Sequence, residues 1–554
     1  MSALWPALLY LIVLLPLGLG LLAVLPGGAP RAARALPGTP LPALLAALLL
    51  PQISLQQPLI TFGITLGLDA PGRLFLLFSA VIWMLAGWHL LRTRPWQRPA
   101  GARLLCCFLL CQAGNLGVII ALDPIGYYIA FSLLSLAAYG LIVVEPGARA
   151  RQAGRLYLTL ALLGEMAMLA GFLYLDQGRE GLLVALLLFV GMGVKHGVLP
   201  LHVWLPRAHG LAPYPCSALL SGALLKAGLL GWIRFLPETG AGLTALAPWM
   251  LGLGLAAAFY GALVGVLQSK PKMLLGYSSI SQMGLVTALL GSSAGEPRTW
   301  PLAAAAAGAF ALHHASVKAA LFLGLGVARR GRAGGWVYPT LLMLSLSLAA
   351  LPLSGGYLLK LWMSAAGQAP IAPTPAGPWK NLLPWSSVAT GLLMSRFLYL
   401  SRRQPRPSPL PGMDPVGPAP FLILAAWALL MPWVWSWLHH PYAPATLLAD
   451  SLKWKSLWPW LVILPLAGFA WWVATRGWRL RPIVPAGDIV VPLEVLAARL
   501  RLPDTARKHP HRHLRRGALR RRLDHLEARL LHLPRTGIVL LGLILLLAAL
   551  SLGS

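Results

Sequence analysis

Six ionisable residues stand inside stretches otherwise built of leucine, alanine, valine and glycine: Glu165, Lys195, Lys226, His314, Lys318 and Lys360. A charge held in hydrocarbon costs at least a few kcal/mol, so each of these is a functional candidate by default. Desolvation makes a buried lysine easier to deprotonate, which suits it to accept a proton and pass it on. Lys195 lies in a segment interrupted by Gly191, Gly193, Gly197 and Pro200, and Lys360 follows Pro352, Gly355 and Gly356. Such interruptions break a helix and free carbonyls that can hold a cation or a water. Lys226 sits in the unbroken run LLSGALLKAG, from which it does not reach water by length alone. His314 and Lys318 are spaced i, i+4 and share one helix face, where a histidine is a natural proton relay between lysines. Glu165 is the carboxylate well inside a span; beside a cationic lysine it forms an ion pair that an arriving proton would loosen. The competing readings are snorkelling from helix ends for the lysines and an interfacial helix-start charge for Glu165. The chemistry these residues suggest is movement of protons or other small cations through lysine-bearing helix breaks.

Other reactive side chains point to less. His313 adjoins His314, and His202 and His209 are expected at a helix break near the surface, with no third ligand nearby to complete a zinc site. Cys106, Cys107, Cys111 and Cys216 lie in apolar stretches without zinc-finger or iron–sulfur spacing, and read as small buried hydrophobes. Neither a GxSxG nucleophile, a P-loop nor a CxxC is present, and Gly252 and Gly254 read as helix packing. The chain therefore shows no redox or hydrolytic centre, and neither a metal nor a cofactor is expected.

The elements that position these residues follow from composition. The chain has 554 residues, 58% hydrophobic and 11% charged. Apolar runs of roughly 18 to 25 residues recur throughout, each long enough to span a bilayer, and in hydrocarbon such runs must be helices. The expected class is all-α: a polytopic membrane bundle of about sixteen spans. They begin near Leu4, Arg34, Gly72, Leu104, Pro124, Leu156, Gly181, Tyr214, Leu246, Leu274, Pro301, Val337, Ser386, Pro418, Ser456 and Thr536. The first run, from Leu4 to Leu25, is too long for a signal-peptide core and lacks a basic leader, so it reads as a retained helix. A β-branched piece from Ile53 to Leu68 is expected to pair as a short hairpin on the outer face.

The net charge of +30 could suggest nucleic acid, but its distribution argues against such a partner. Basic residues fall in alternate loops, at Arg31 and Arg34, Arg92 to Arg103, Arg149 to Arg155, Lys270 and Lys272, Arg329 to Arg332, Arg402 to Arg406, and the tail from Arg476. That alternation is the positive-inside pattern and places the N-terminus outside a bacterial cytoplasmic membrane. In the tail, Leu519, Leu523, Leu526, Leu530 and Leu533 recur between arginines, as in a basic amphipathic helix on anionic lipid. His509, His511 and His513 alternate there and read as a lipid contact rather than a metal site. Two Gly/Pro-interrupted segments, each with a lysine and five spans apart, suggest an inverted duplication. The boundaries read as N-terminal helices (1–102), a first repeat (103–235), a second repeat (236–402), C-terminal helices (403–475), and a basic segment with a final helix (476–554).

Four stretches carry a family resemblance. GMGVKHGVLPLHVWLPRAHGLAPYPCSALLSGALLKAG at Gly191 to Gly228 resembles the signature of the antiporter-like membrane subunits. These occur in respiratory complex I, group 4 membrane-bound hydrogenases and multi-subunit sodium/proton antiporters. LLGYSSISQMG from Leu274, HASVKAALFLGLG from His314 and LPLSGGYLLK from Leu351 also fit, and the first motif is most similar to the hydrogenase branch. The resemblance covers roughly 68–402. It implies two inverted five-helix repeats. It makes Lys195 and Lys360 the lysines of the broken helices, Lys226 the lysine of the next helix, and His314 and Lys318 the connecting pair, along a hydrated midplane axis. The family's fifth-helix glutamate falls at Ser132 here, and Lys270 stands where an aspartate is usual. Glu165 lies where some larger members have an acidic residue, so it is the candidate substitute partner of Lys195.

These observations imply a proton-translocating subunit of a redox-driven complex, with other membrane subunits and cytoplasmic-side soluble subunits as partners. The alternatives are a subunit of a cation/proton antiporter, and a membrane scaffold for a soluble enzyme such as a bicarbonate-accumulating partner.

Overall fold

The computed structural model describes residues 4–57, 63–98, 100–145, 147–329, 335–367, 377–404, 417–439 and 449–476, with positions 484 and 491. The basic tail, its three histidines and the span expected at Thr536 lie outside the described residues, as do Arg330, Arg332 and Arg406.

The chain opens with α1 (Leu4–Val24), α2 (Gly28–Ala35) and α3 (Leu41–Leu49), then a hairpin of β1 (Ile53–Gln57) and β2 (Ile64–Leu68). The hairpin is antiparallel, with Ile53 opposite Leu68 and Gln57 opposite Ile64, as the sequence led us to expect. After it come α4 (Ala70–Arg92), α5 (Gly101–Ile120), α6 (Pro124–Ile142), α7 (Ala148–Asp176) and α8 (Leu182–His196). The path continues through α9 (Trp204–Leu211), α10 (Tyr214–Leu219), α11 (Leu225–Phe235), α12 (Ala241–Val266), α13 (Pro271–Ser293) and α14 (Trp300–Arg329). The described part closes with α15 (Val337–Leu348), α16 (Gly355–Ala366), α17 (Gly377–Arg402), α18 (Ala419–His439) and α19 (Trp454–Thr475).

Among the described residues, 12 helical runs are long and apolar enough to cross a membrane. The span expected from Arg34 is not one of them. Its apolar core forms only the nine-residue α3, which at about 1.5 Å per residue covers less than half of a ~30 Å hydrocarbon core. Pro37, Pro40 and Pro42 cut the run short.

Both expected breaks are present. α8 stops at Gly197, whose φ of +88 is the left-handed conformation that ends a helix cheaply only at glycine. Its amide and that of Val198 both donate to the Gly193 carbonyl. Trp204 Nε1 donates to the Val194 carbonyl at 2.9 Å, covering a second orphan group of the last turn. The second break, between α15 and α16, places Ala350 and Leu353 at φ of 60 and 64 around Pro352. Residues with a Cβ are strained there, and such strain concentrates at functional sites. Ser354 restarts the chain by capping the Tyr357 amide at 3.3 Å.

From α5 onward the helices can be ordered as two series, α5 to α11 and α12 to α17, each interrupted by one of the two breaks. At the hairpin end of the bundle, Arg234 fixes three elements. It makes a two-pronged pair with Asp69 at 2.9 and 2.7 Å and donates to the Val118, Ile119 and Ala121 carbonyls that finish α5. Asp69 in turn caps α4 through the Gly72 amide. Arg234→Met strips five donated bonds from a side chain only 7% exposed. It is expected to cost on the order of 2–3 kcal/mol, read as a lower melting temperature in detergent.

Candidate functional site: a buried lysine and histidine axis

α7 and α8 approach closely enough for backbone contact. A Cβ added at Gly164 would come within 2.9 Å of the Gly191 carbonyl, so larger residues are excluded at this crossing. That approach sets Lys195, in the last turn of α8, against α6 and α7. Its Nζ donates to Ser135 Oγ at 2.6 Å and Tyr157 Oη at 2.8 Å, and lies 5.0 Å from the centre of the Phe131 ring. Tyr157 Oη in turn donates to the Ser135 carbonyl at 3.2 Å. The ammonium is thus held by neutral hydroxyls.

The direct Glu165–Lys195 pair expected from the sequence does not form. Glu165 is 4% exposed and its Oε1 has no hydrogen-bond partner. Ser132, where the resemblance put the missing glutamate, also leaves its hydroxyl unpartnered. Ser135, one turn further along α6, is the residue that reaches the lysine.

The helix of Lys226 is not regular. It widens into a π turn over Leu220–Leu224, and Lys226 Nζ donates to the Ser221 carbonyl at 2.6 Å. The same nitrogen lies 2.8 Å from His314 Nδ1, which joins the first series to the second. Lys318, one turn beyond His314, donates to the Leu275 carbonyl of α13. In the second break, Lys360 donates to Ser386 and Ser387 of α17 at 3.0 and 2.9 Å. His313 Nε2 reaches Ser347 Oγ at 2.9 Å, tying α14 to the end of α15.

One face of α13 joins these groups. Leu275, Ser279, Gln282 and Met283 recur at helical spacing. They meet Lys318, Ser221, Thr390 and His196 respectively. Thr390 donates to the Ser386 carbonyl, which leads back to Lys360. These serines, Gln282, Thr390 and Tyr157 were not singled out from the sequence. The visible signal was a polar run, SSISQ, inside a span with no other reason to be polar. His202 and His209, expected near the surface, are both fully buried, and His209 stacks on Phe322 at 4.7 Å. No group of three potential metal ligands occurs among the described residues.

The axis can hold protons on nitrogen and pass them between partners at hydrogen-bonding distance. A bond between Lys226 Nζ and His314 Nδ1 needs one proton and one lone pair, so the two groups cannot both be fully protonated and keep it. A proton reaching one displaces the bond to the other.

Known proteins share this sequence pattern and this fold. Residues 121–368 match the family described as NADH:quinone oxidoreductase/Mrp antiporter, TM. The chain is 36% identical over 223 residues to NAD(P)H-quinone oxidoreductase chain 4 2 of Thermosynechococcus vestitus, covering 36% of this chain and 41% of that one. It is 27% identical over 289 residues to hydrogenase-4 component B of Escherichia coli, covering 48% and 43%. The chain thus spans less than half the length of these curated relatives. Its fold is that of a chain in the Mrp complex from Dietzia sp., with TM-score 0.67 and 21% identity over 93% of this chain and 61% of that one. Residues 121–368, which hold both lysine-bearing breaks, are thus similar to the NADH:quinone oxidoreductase/Mrp antiporter membrane family.

Proposed function

We propose that this chain is a proton-translocating membrane subunit of a redox-driven complex, in which protons move along Lys195, Lys226, His314, Lys318 and Lys360. The observation that carries the reading is the Lys226–His314 link, which connects two series that each contain a lysine at a broken helix. Electron-transfer centres are assigned to partner chains, with other membrane subunits beside this one and soluble subunits on the cytoplasmic side. The alternating basic loops support a bacterial cytoplasmic membrane location with the N-terminus outside. A cation/proton antiporter subunit is the second reading, favoured by the structural likeness to the Mrp complex chain.

Purification from solubilised membranes separates the two. Iron–sulfur and hydrogenase-like or quinone-reducing partners support the first; small membrane subunits alone support the second; a single zinc-containing soluble protein would instead mark a scaffold. In the reconstituted complex, Lys195→Ala is expected to lower proton uptake at least about tenfold with assembly intact. Glu165→Gln is expected to do less, because the carboxylate does not touch Lys195 in this state. A loss as deep as that of Lys195→Ala would make Glu165 the partner during turnover. Normal uptake by Lys195→Ala sinks the assignment.

A further inference from the structure

Four arginines gather at one end of the bundle, where α15 begins and α17 and α19 finish. None has a carboxylate partner among the described residues. Each guanidinium lies over an aromatic ring instead. Arg396 and Arg403 share Tyr399, at 5.3 and 4.6 Å from its centre. Arg402 is 5.5 Å from Tyr338 and 5.4 Å from Trp471, and Arg476 is 4.4 Å from Trp472. Ring contact fixes the plane of a guanidinium and leaves its N–H edge free, which is the geometry that receives a phosphate. Two like charges on one ring repel each other, and a shared anion relieves that repulsion. Arg396 supplies a separate sign of an unfilled role: its Nε is buried without a hydrogen-bond partner among the described residues, about 9 Å along the helix from Arg402. Beside it, α19 turns Phe469 and Trp472 outward, 63% and 51% exposed, in the band a lipid chain would cover.

We propose that Arg396, Arg402 and Arg403 form a binding site for the anionic headgroup of a phospholipid, with its acyl chains along Phe469 and Trp472. Charge decides the occupant. The chain's own tail is rich in arginine, a like charge that makes it a poor match for such a cluster. The apolar wall of α19 favours a lipid over a free phosphate, and the basic loops at this end mark the leaflet concerned. The proposal does not depend on what the axis transports.

The test is native mass spectrometry of the purified full-length chain after delipidation, titrated with phosphatidylglycerol, phosphatidylcholine or inorganic phosphate. Phosphatidylglycerol is expected to bind about tenfold more tightly than phosphatidylcholine, and the combined Arg396→Gln, Arg402→Gln, Arg403→Gln variant to lose about tenfold. Arg31→Gln with Arg34→Gln should leave the affinity unchanged. Should the triple variant not purify as a folded protein, Tyr399→Leu takes its place, with a several-fold loss expected. Unchanged phosphatidylglycerol binding in the variant used overturns the site. Equal affinity for phosphatidylcholine overturns the headgroup assignment, and displacement of the lipid by equimolar inorganic phosphate overturns the lipid as its source.

Discussion

Lys226→Met in the reconstituted complex is expected to cut proton uptake about 100-fold, among the deepest losses of any single change in this chain. Lys226 is the junction of the axis. Its Nζ bridges the Ser221 carbonyl of the π turn and His314 Nδ1 of the second series. Methionine keeps the volume and removes the exchangeable proton, so the two series lose their direct connection while packing survives. Lys226→Arg distinguishes proton exchange from mere charge. A guanidinium keeps the charge and does not release its proton, so this variant is expected to be as inactive as the methionine one. Uptake near wild type in Lys226→Arg, measured with a pH-sensitive dye and with subunit composition checked, would remove Lys226 from the path. His314→Gln should show a comparable loss, since its side chain is the other half of the bond.

The second large effect is expected at Lys360. Lys360→Met should also lower uptake about 100-fold. Lys360 stands at the second break, held among the described residues by the two neighbouring hydroxyls of Ser386 and Ser387. Hydrogen bonds to a charged group are worth about 1.5–3 kcal/mol each, so the two serines differ in kind from the lysine. Ser386→Ala or Ser387→Ala leaves one hydroxyl in place, and each is expected to slow uptake several-fold. The double variant should approach the Lys360→Met rate. Wild-type uptake in the double variant would show that these hydroxyls only fill space. If the proposed redox-driven reading holds, electron transfer by the partner subunits, assayed separately, shows whether the lost protons are also lost coupling.

Much of this was legible along the chain because it is local. Hydropathy over about twenty residues marks a span, and proline and glycine mark a break, wherever the segment ends up. Lys195 and Lys360 could therefore be placed at breaks without knowing what faces them. The same local logic failed at α3, where leucine content suggested a span and closely spaced prolines left nine helical residues. It also failed for His202 and His209, since a break near a basic loop reads as surface until other helices close over it. α13 shows the intermediate case: its polar run was visible, but a sequence does not say which neighbour each hydroxyl meets.

The sequence by itself determined that this is a helical membrane protein with lysines held inside the membrane, because burial of charge in an apolar run is written in consecutive residues. Only the tertiary structure decided how those lysines are held. Lys195 meets Ser135 from 60 positions away, and Lys226 meets His314 from 88. Contacts at such separations depend on helix crossings, such as the Gly164–Gly191 approach, that no local pattern encodes. That is why Glu165, the partner the sequence offered, stands apart, and why the first broken helix rests its lysine on a serine and a tyrosine.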